Sequence, residues 1–231
     1  MVIMDTLQVK IHALFKNNGV FIKVDKDSKI FLEGERAEEI FFIESGAIQI
    51  SQETESGKEL TMRICGPNSI IGEGSLFCHL TYNSMTAKVL EPSTLYVLSR
   101  KSMEQLLTEH PIMMVEYLKW LQIENFKHQS RLRDLILNGK KGALFSTLIR
   151  LTNTYGKTLV DGVIVIDFPL TNSELANLCG TSREMINRML NDLKKHHILT
   201  FAKGYITIHN LKFLKDEIAC ENCPLQICRI D

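Results

Sequence analysis

Three cysteines near the end of this 231-residue chain carry its most specific chemistry. Cys220, Cys223 and Cys228 stand in a C-x2-C-x4-C spacing that lets three sulfurs converge on one metal centre. A tetrahedral zinc or an iron–sulfur cluster takes four protein ligands, so the motif is one short and the fourth must come from elsewhere. A redox dithiol at Cys220 and Cys223 is disfavoured, because such pairs usually open a helix in a βαβ context that is absent here. Cys65, Cys78 and Cys179 stand singly, as small buried hydrophobes do, and no ligand is expected among them.

A second constellation lies between Thr171 and Leu190. Thr171 and Glu174 have the spacing of a capping box, Leu175, Ala176, Ile186 and Leu190 are apolar at helical intervals, and Gly180 permits a tight turn between two short helices. In such a helix-turn-helix the second helix enters the major groove of DNA. Arg183 and Arg188 are placed to pair bidentately with guanine and Glu184 to accept from a cytosine amino group. Thr181 and Ser182, at the helix N-terminus, suit a phosphate. Lys194, Lys195 and two short strands around Lys203-Gly204 read as the wing of a winged helix.

Charge distribution supports this division of labour. The net formal charge is zero, but residues 1–130 carry 13 basic against 17 acidic side chains, 131–215 carry 13 against 6, and 216–231 carry 1 against 4. A basic segment joined to an acidic one fits a phosphate-binding module beside a separate sensing module. Composition is that of a globular chain, 45% hydrophobic and 23% charged. No apolar run reaches the ~18–20 residues of a membrane span and no signal-peptide core is evident, so a cytoplasmic location is expected. In that compartment reduced thiols favour metal or redox chemistry over a disulfide framework.

The elements that must position these residues follow in order. Residues 6–18 are apolar at helical spacing. From Val20 to Leu98, β-rich runs (Val20–Val24, Ile40–Ile43, Ala47–Ser51, Leu60–Ile64, Ala87–Leu90, Leu95–Leu98) recur about every ten residues, reading as a β-roll or sandwich. In the clearest pair, Ile48 and Ile50 face Leu60, Met62 and Ile64 across Ser56-Gly57, with apolar and polar positions alternating. A short helix at 102–107 precedes Pro111, which opens a long one. Along it Met114, Leu118, Leu121, Asn125, His128, Leu132 and Leu135 step by four and three, the spacing of a dimerisation seam. Trp120, Ile123 and Phe126 mark a second face that packs on the roll. Asn138-Gly139 ends the helix. An apolar helix from Gly142 to Thr154 and a strand from Val160 to Phe168, around an Asp161-Gly162 turn, lead into the helix-turn-helix.

This order resembles the CRP/FNR regulators. Gly72-Glu73 matches a motif of their cyclic-nucleotide-binding members, but Asn83-Ser84-Met85 stands where the phosphate-binding arginine of those members falls, so no cyclic nucleotide is expected. The resemblance places the base-reading positions on Arg183, Glu184 and Arg188, flanked by Ser182 and by Asn187, the last departing from the usual serine or glycine. The tail Cys-Glu-Asn-Cys-Pro-Leu-Gln-Ile-Cys and the stretch from Arg133 to Leu144 resemble the FNR regulators of bacilli. In that subfamily the tail cysteines and an aspartate at the end of the dimer helix, here Asp134, hold a [4Fe–4S] cluster. From the residues alone, Asp134 reads first as a salt-bridge partner of Arg131 or Arg133, and zinc remains open for the tail.

The resemblance implies an α+β chain: a β-roll over 1–110, a dimerisation helix over 111–138, a winged helix-turn-helix over 139–215 and a cluster-binding tail over 216–231. It implies a homodimeric, oxygen-responsive regulator that binds an inverted repeat in double-stranded DNA and works with RNA polymerase. The alternatives are a family member with a small metabolite in the roll and structural zinc in the tail, or an enzyme built on the roll. Against an enzyme, the roll shows no metal-ligand cluster or nucleophile–base pair.

Overall fold

The computed structural model describes residues 2–79, 81–159 and 162–231. It forms two compact units, Met1–Gln122 with Asp231, and Ile123–Ile230.

The first unit is an antiparallel β-roll with helices at its two chain ends. Helix α1 (Val2–Asn18) precedes β1 (Val20–Val24), β2 (Lys29–Phe31), β3 (Glu39–Glu53), β4 (Glu59–Cys65), β5 (Ile70–Ile71) and β6 (Thr86–Ser99), and α2 (Arg100–Glu109) follows. The strand order is β1-β6-β3-β4, with β2 also on β6 and β5 on β3. Two pairs of the expected short runs are single long strands, β3 and β6. Register shifts between Ile43 and Ile48 bend β3 without ending it, which a run-by-run reading takes for a break.

The hairpin register also differs from expectation. Ile48 lies opposite Cys65 and Ile50 opposite Arg63, with a bulge after Ile50. The polar positions of that hairpin are buried too: Gln49 donates to Glu59 (3.0 Å) and Thr61 (2.7 Å), and Arg63 pairs with Glu73 at 2.6 Å. Alternation here separates two buried faces, an apolar one and one satisfied by internal hydrogen bonds.

Two apolar clusters fill the unit. One gathers Ile11, Phe15, Phe42, Leu98, Met103, Leu107 and Tyr117, with Met113, Met114, Trp120 and Leu121 packed against it. The other holds Ile43, Ile48, Cys65, Ile71 and Leu95. At ~1.5–3 kcal/mol for each fully buried large side chain, these clusters are the main stabilisation of the roll. Ser99 caps α2 by accepting from the Ser102 amide at 3.0 Å.

Helix α3 (Pro111–Tyr155) begins in the first unit and is broken at Gly139, whose φ of 59° and ψ of −157° leave the helical region. Met114 and Leu121, expected at the dimer seam, are partly buried and pack against the first-unit core. Leu118, Leu132 and Leu135 are exposed, together with Val115 and Ile136. Heptad spacing cannot by itself tell which of two adjacent apolar faces meets the chain's own core. Trp120 packs as expected, but Phe126 is exposed.

In the second unit, β7 (Gly156–Thr158), β8 (Ile164–Ile166), β9 (Leu199–Ala202) and β10 (Tyr205–Ile208) form an antiparallel sheet in the order β7-β8-β10-β9. Leu159 and Val163 close the β7–β8 hairpin through a 2.7 Å backbone bond; Val160 and Asp161, part of the expected strand and turn, lie outside the described residues. Helices α4 (Asn172–Leu178), α5 (Arg183–Lys195) and α6 (Leu211–Glu217) complete it. Its core includes Leu144, Leu148, Leu151, Leu175, Ile186, Leu190, Leu199, Ile206, Ile208 and Leu214. Among the described residues, no helix is long and apolar enough to cross a membrane.

Candidate functional site

The helix-turn-helix is built locally. Thr171 Oγ1 accepts from the Glu174 amide at 3.2 Å, and Glu174 Oε2 accepts from the Thr171 amide at 2.6 Å, a complete capping box on α4. Gly180 reverses the chain at a φ of 59°, and the Thr181 amide donates to Ala176 O. Ser182 caps α5 through a 3.3 Å bond from the Met185 amide. Buried Ile186, Leu190 and Leu193 seat α5 on the unit, which leaves Ser182, Arg183, Glu184, Asn187 and Arg188 exposed along its other face.

Asn187 Oδ1 accepts from Asn172 (3.2 Å) and Asn191 (3.4 Å), so its side chain is held by both helices. The Glu184 carboxyl is held below its usual range, first by its own backbone amide and then by Ser182, so it is ionised at neutral pH. Thr181 departs from expectation. Its hydroxyl is buried and, among the described residues, unpartnered, so it does not face a phosphate. The Lys203-Gly204 turn joins β9 and β10 with Tyr205 opposite Ala202, giving the expected wing.

The tail forms a second site in the same unit. The helix α6, which no sequence signal anticipated, delivers it: the Cys220 amide donates to Lys215 O, and the Cys228 amide to Pro224 O. The segment is then gripped by its main chain. Arg131 donates to Ile230 O (2.6 Å) and Arg229 O (3.2 Å), Asn153 to Cys228 O (2.8 Å), and the Ile230 amide to Thr154 Oγ1 (3.0 Å). Cys228 and Ile230 are buried as a result.

Cys220, Cys223, Cys228 and Asp134 line one cavity, with Arg133 and Arg150 beside them. Its volume of about 160 Å³ far exceeds the ~10–15 Å³ that admits one water. All three thiols are free. Burial pushes the Cys228 thiol up, opposed by the Arg150 charge. Among the described residues, no three His, Cys, Asp or Glu side chains form a group that could hold a metal ion. The four side chains share a cavity lining, without forming a recognisable metal-ion site.

Asp134 is engaged where it stands. Its Oδ1 accepts from Arg133 Nη2 at 2.9 Å and its Oδ2 from Arg150 Nη2 at 2.6 Å. The Arg133 partner was expected; Arg150, in the apolar second half of α3, was not. Its side chain is 3% exposed, against 32% for Arg133. Arg133 also pairs with Glu221, and its guanidinium is driven further into the charged form by Asp134, with Cys223 and Glu221 adding to the effect. One signal in the sequence does point to Arg150: it is a lone charge inside Leu148-Ile149-Arg150-Leu151.

In the first unit, Glu73 of the Gly72-Glu73 turn is held by Arg63, which also donates to Ile70 O at 3.2 Å. The turn is thus braced internally.

Residues 21–110 match the cyclic nucleotide-binding domain family, and residues 143–217 match the Crp-like helix-turn-helix domain family. The anaerobic regulatory protein of Bacillus subtilis is 42% identical over 98% of this chain and 95% of its own length. The chain belongs to the CRP/FNR family of transcription regulators. Solved structures agree on the fold: that of the c-di-GMP responsive global regulator CLP of Xanthomonas campestris superposes with a TM-score of 0.76 at 19% identity, covering 86% of this chain and 97% of that one. FixK2 of Bradyrhizobium japonicum gives 0.73 at 17% identity, covering 86% and 96%. The architecture is that of the family, a β-roll, a long dimerisation helix and a winged helix-turn-helix, and the family consists of regulators, not enzymes.

Proposed function

We propose that this family member is an oxygen-responsive regulator of anaerobic genes, which binds an inverted-repeat operator as a homodimer and carries a [4Fe–4S] cluster on Cys220, Cys223, Cys228 and Asp134. The observation that carries the reading is the shared cavity: three free thiols and one carboxylate, from sequence positions nearly a hundred residues apart, line a single space. A cluster takes each ligand on a separate iron, so its donors need only share a cavity wall. The donor chemistry also fits, three soft thiolates and one hard carboxylate that makes a labile corner. A bound cluster would supply sensitivity to oxygen. The name of the Bacillus subtilis relative supports the same physiology.

In this reading the chain's own residues convert the state of the site into DNA affinity. Asp134 lies on α3 before the Gly139 break, whereas the cysteines follow the winged helix, so ligation by both ties the reading head to the dimer helix. Exposed Leu118, Leu132 and Leu135 form the seam with a second copy. Arg183 and Arg188 read guanines, Glu184 a cytosine, and Ser182 and Asn187 position the helix, with half-sites about one helical turn apart. RNA polymerase is the downstream partner.

The test is anaerobic reconstitution with iron and sulfide, followed by binding to an inverted-repeat duplex before and after exposure to air. The expected result is about four irons and four sulfides per chain and operator binding that air abolishes. Absence of both elements, or equal binding in both states, refutes the reading.

A further inference from the structure

We infer that Arg150 is the positioning and charge-compensating residue of the cysteine–Asp134 site, a role that rests on the cluster reading above. Three thiolates and a carboxylate around a [4Fe–4S] core of charge about +2 would leave roughly two net negative charges in one partly buried cavity, and burial without counter-charge is strongly unfavourable. Two cations line that cavity, Arg133 and Arg150. Arg133 is one-third exposed and shared with Glu221, so solvent and a second carboxylate screen it. Arg150 is almost wholly enclosed, with its side chain 3% exposed.

Its fork also fixes geometry on both sides of the cavity. Nη2 donates to Asp134 Oδ2 and, at 3.0 Å, to Ser130 Oγ. Nη1 reaches Ile227 O, the carbonyl before Cys228, at 3.5 Å. One guanidinium thus spans from the aspartate to the chain that carries the last cysteine. Its Nε is buried and without a hydrogen-bond partner among the described residues, a donor left over. Lysine offers the charge but not the fork. Such outer residues orient ligands and tune what they hold.

The experiment compares wild type, Arg150→Met, Arg150→Lys and Arg133→Met as full-length chains. Iron and sulfide per chain and the decay of cluster absorbance in air are read after anaerobic reconstitution. Amide exchange over residues 225–230 is read in the iron-free chains. Arg150→Met is expected to retain the cluster about tenfold less well and to exchange faster over the tail. Arg150→Lys recovers part of the retention, and Arg133→Met changes it less than Arg150→Met. Wild-type retention in Arg150→Met, or an equal or larger loss in Arg133→Met, overturns the inference, as does full recovery by lysine. If Arg150→Met does not fold, the lysine variant decides: partial loss supports the role and wild-type behaviour overturns it. A wild-type chain that takes up no iron or sulfide refutes the cluster reading itself. The exchange data then show separately whether Arg150 positions the tail, and unchanged exchange removes that role too.

Discussion

Replacing Asp134 by alanine in the iron-free chain isolates the buried ion pair from any metal chemistry. The carboxylate is 7% exposed and its Arg150 partner 3%, and removing one member of such a pair costs ~3–5 kcal/mol because the other charge stays buried. Arg150 keeps Ser130 Oγ and Ile227 O, which argues for the lower end, about 3 kcal/mol. The bond to Arg133 adds less than ~1 kcal/mol, since that guanidinium is one-third exposed. At ~2–4 °C per kcal/mol for a chain of this size, the thermal midpoint should fall by roughly 6–12 °C. The assay is a melt followed by far-UV circular dichroism at fixed protomer concentration and neutral pH under reductant. Combining Asp134→Ala with Arg150→Met removes the orphaned charge and should restore most of the loss, the non-additivity expected of contacting residues. A midpoint within about 2 °C of wild type, or a double variant no more stable than the single one, would refute the argument that this pair is buried and mutually dependent.

Four further outcomes are expected. Arg188→Ala should weaken operator binding by ~1–3 kcal/mol and relax preference at one base position per half-site, measured by fluorescence anisotropy on a base-substituted duplex series. Thr171→Ala removes the capping box and should lower stability by ~1 kcal/mol in urea titrations with little change in the cooperativity of unfolding. Leu132→Glu with Leu135→Glu should convert the dimer to monomer in sedimentation velocity, because both side chains are exposed and charge at the seam has no partner. Burial pushes the Cys179 thiol up to about 12, above the ~8.5 of an unfolded thiol. The unfolded state therefore loses this proton first, and stability falls as pH rises from about 8.5, by roughly 1–2 kcal/mol at pH 10. Cys179→Ala should flatten that part of the pH profile in chemical denaturation.

The helix-turn-helix was legible because each of its signals is local: the Thr171–Glu174 box, Gly180 and the apolar positions of α5 lie within about twenty residues. The cysteines were legible by type and spacing. The grip on the tail was not, since Arg131 and Asn153 hold backbone carbonyls, which any residue supplies. Arg150 escaped because its burial depends on Asp134 and on a chain segment some 77 residues away. In the roll, Arg63 and Gln49 fall at the polar positions of an alternating hairpin, and both are buried. Along α3 the spacing alone did not show that Met114 and Leu121 also pack against the first-unit core.

The break in α3 sets a condition of handedness and not of size. A Cβ built on Gly139 would touch nothing within 4 Å, yet φ 59° and ψ −157° lie where an L-residue is strained by ~1–3 kcal/mol. Reflected, those angles become −59° and +157°, close to the relaxed polyproline II conformation. The backbone preference of a D-alanine introduced there by chemical ligation would match the bend, whereas that of its L-enantiomer would oppose it. Mirror-image substitution thus offers a way to stiffen this one joint through the backbone alone.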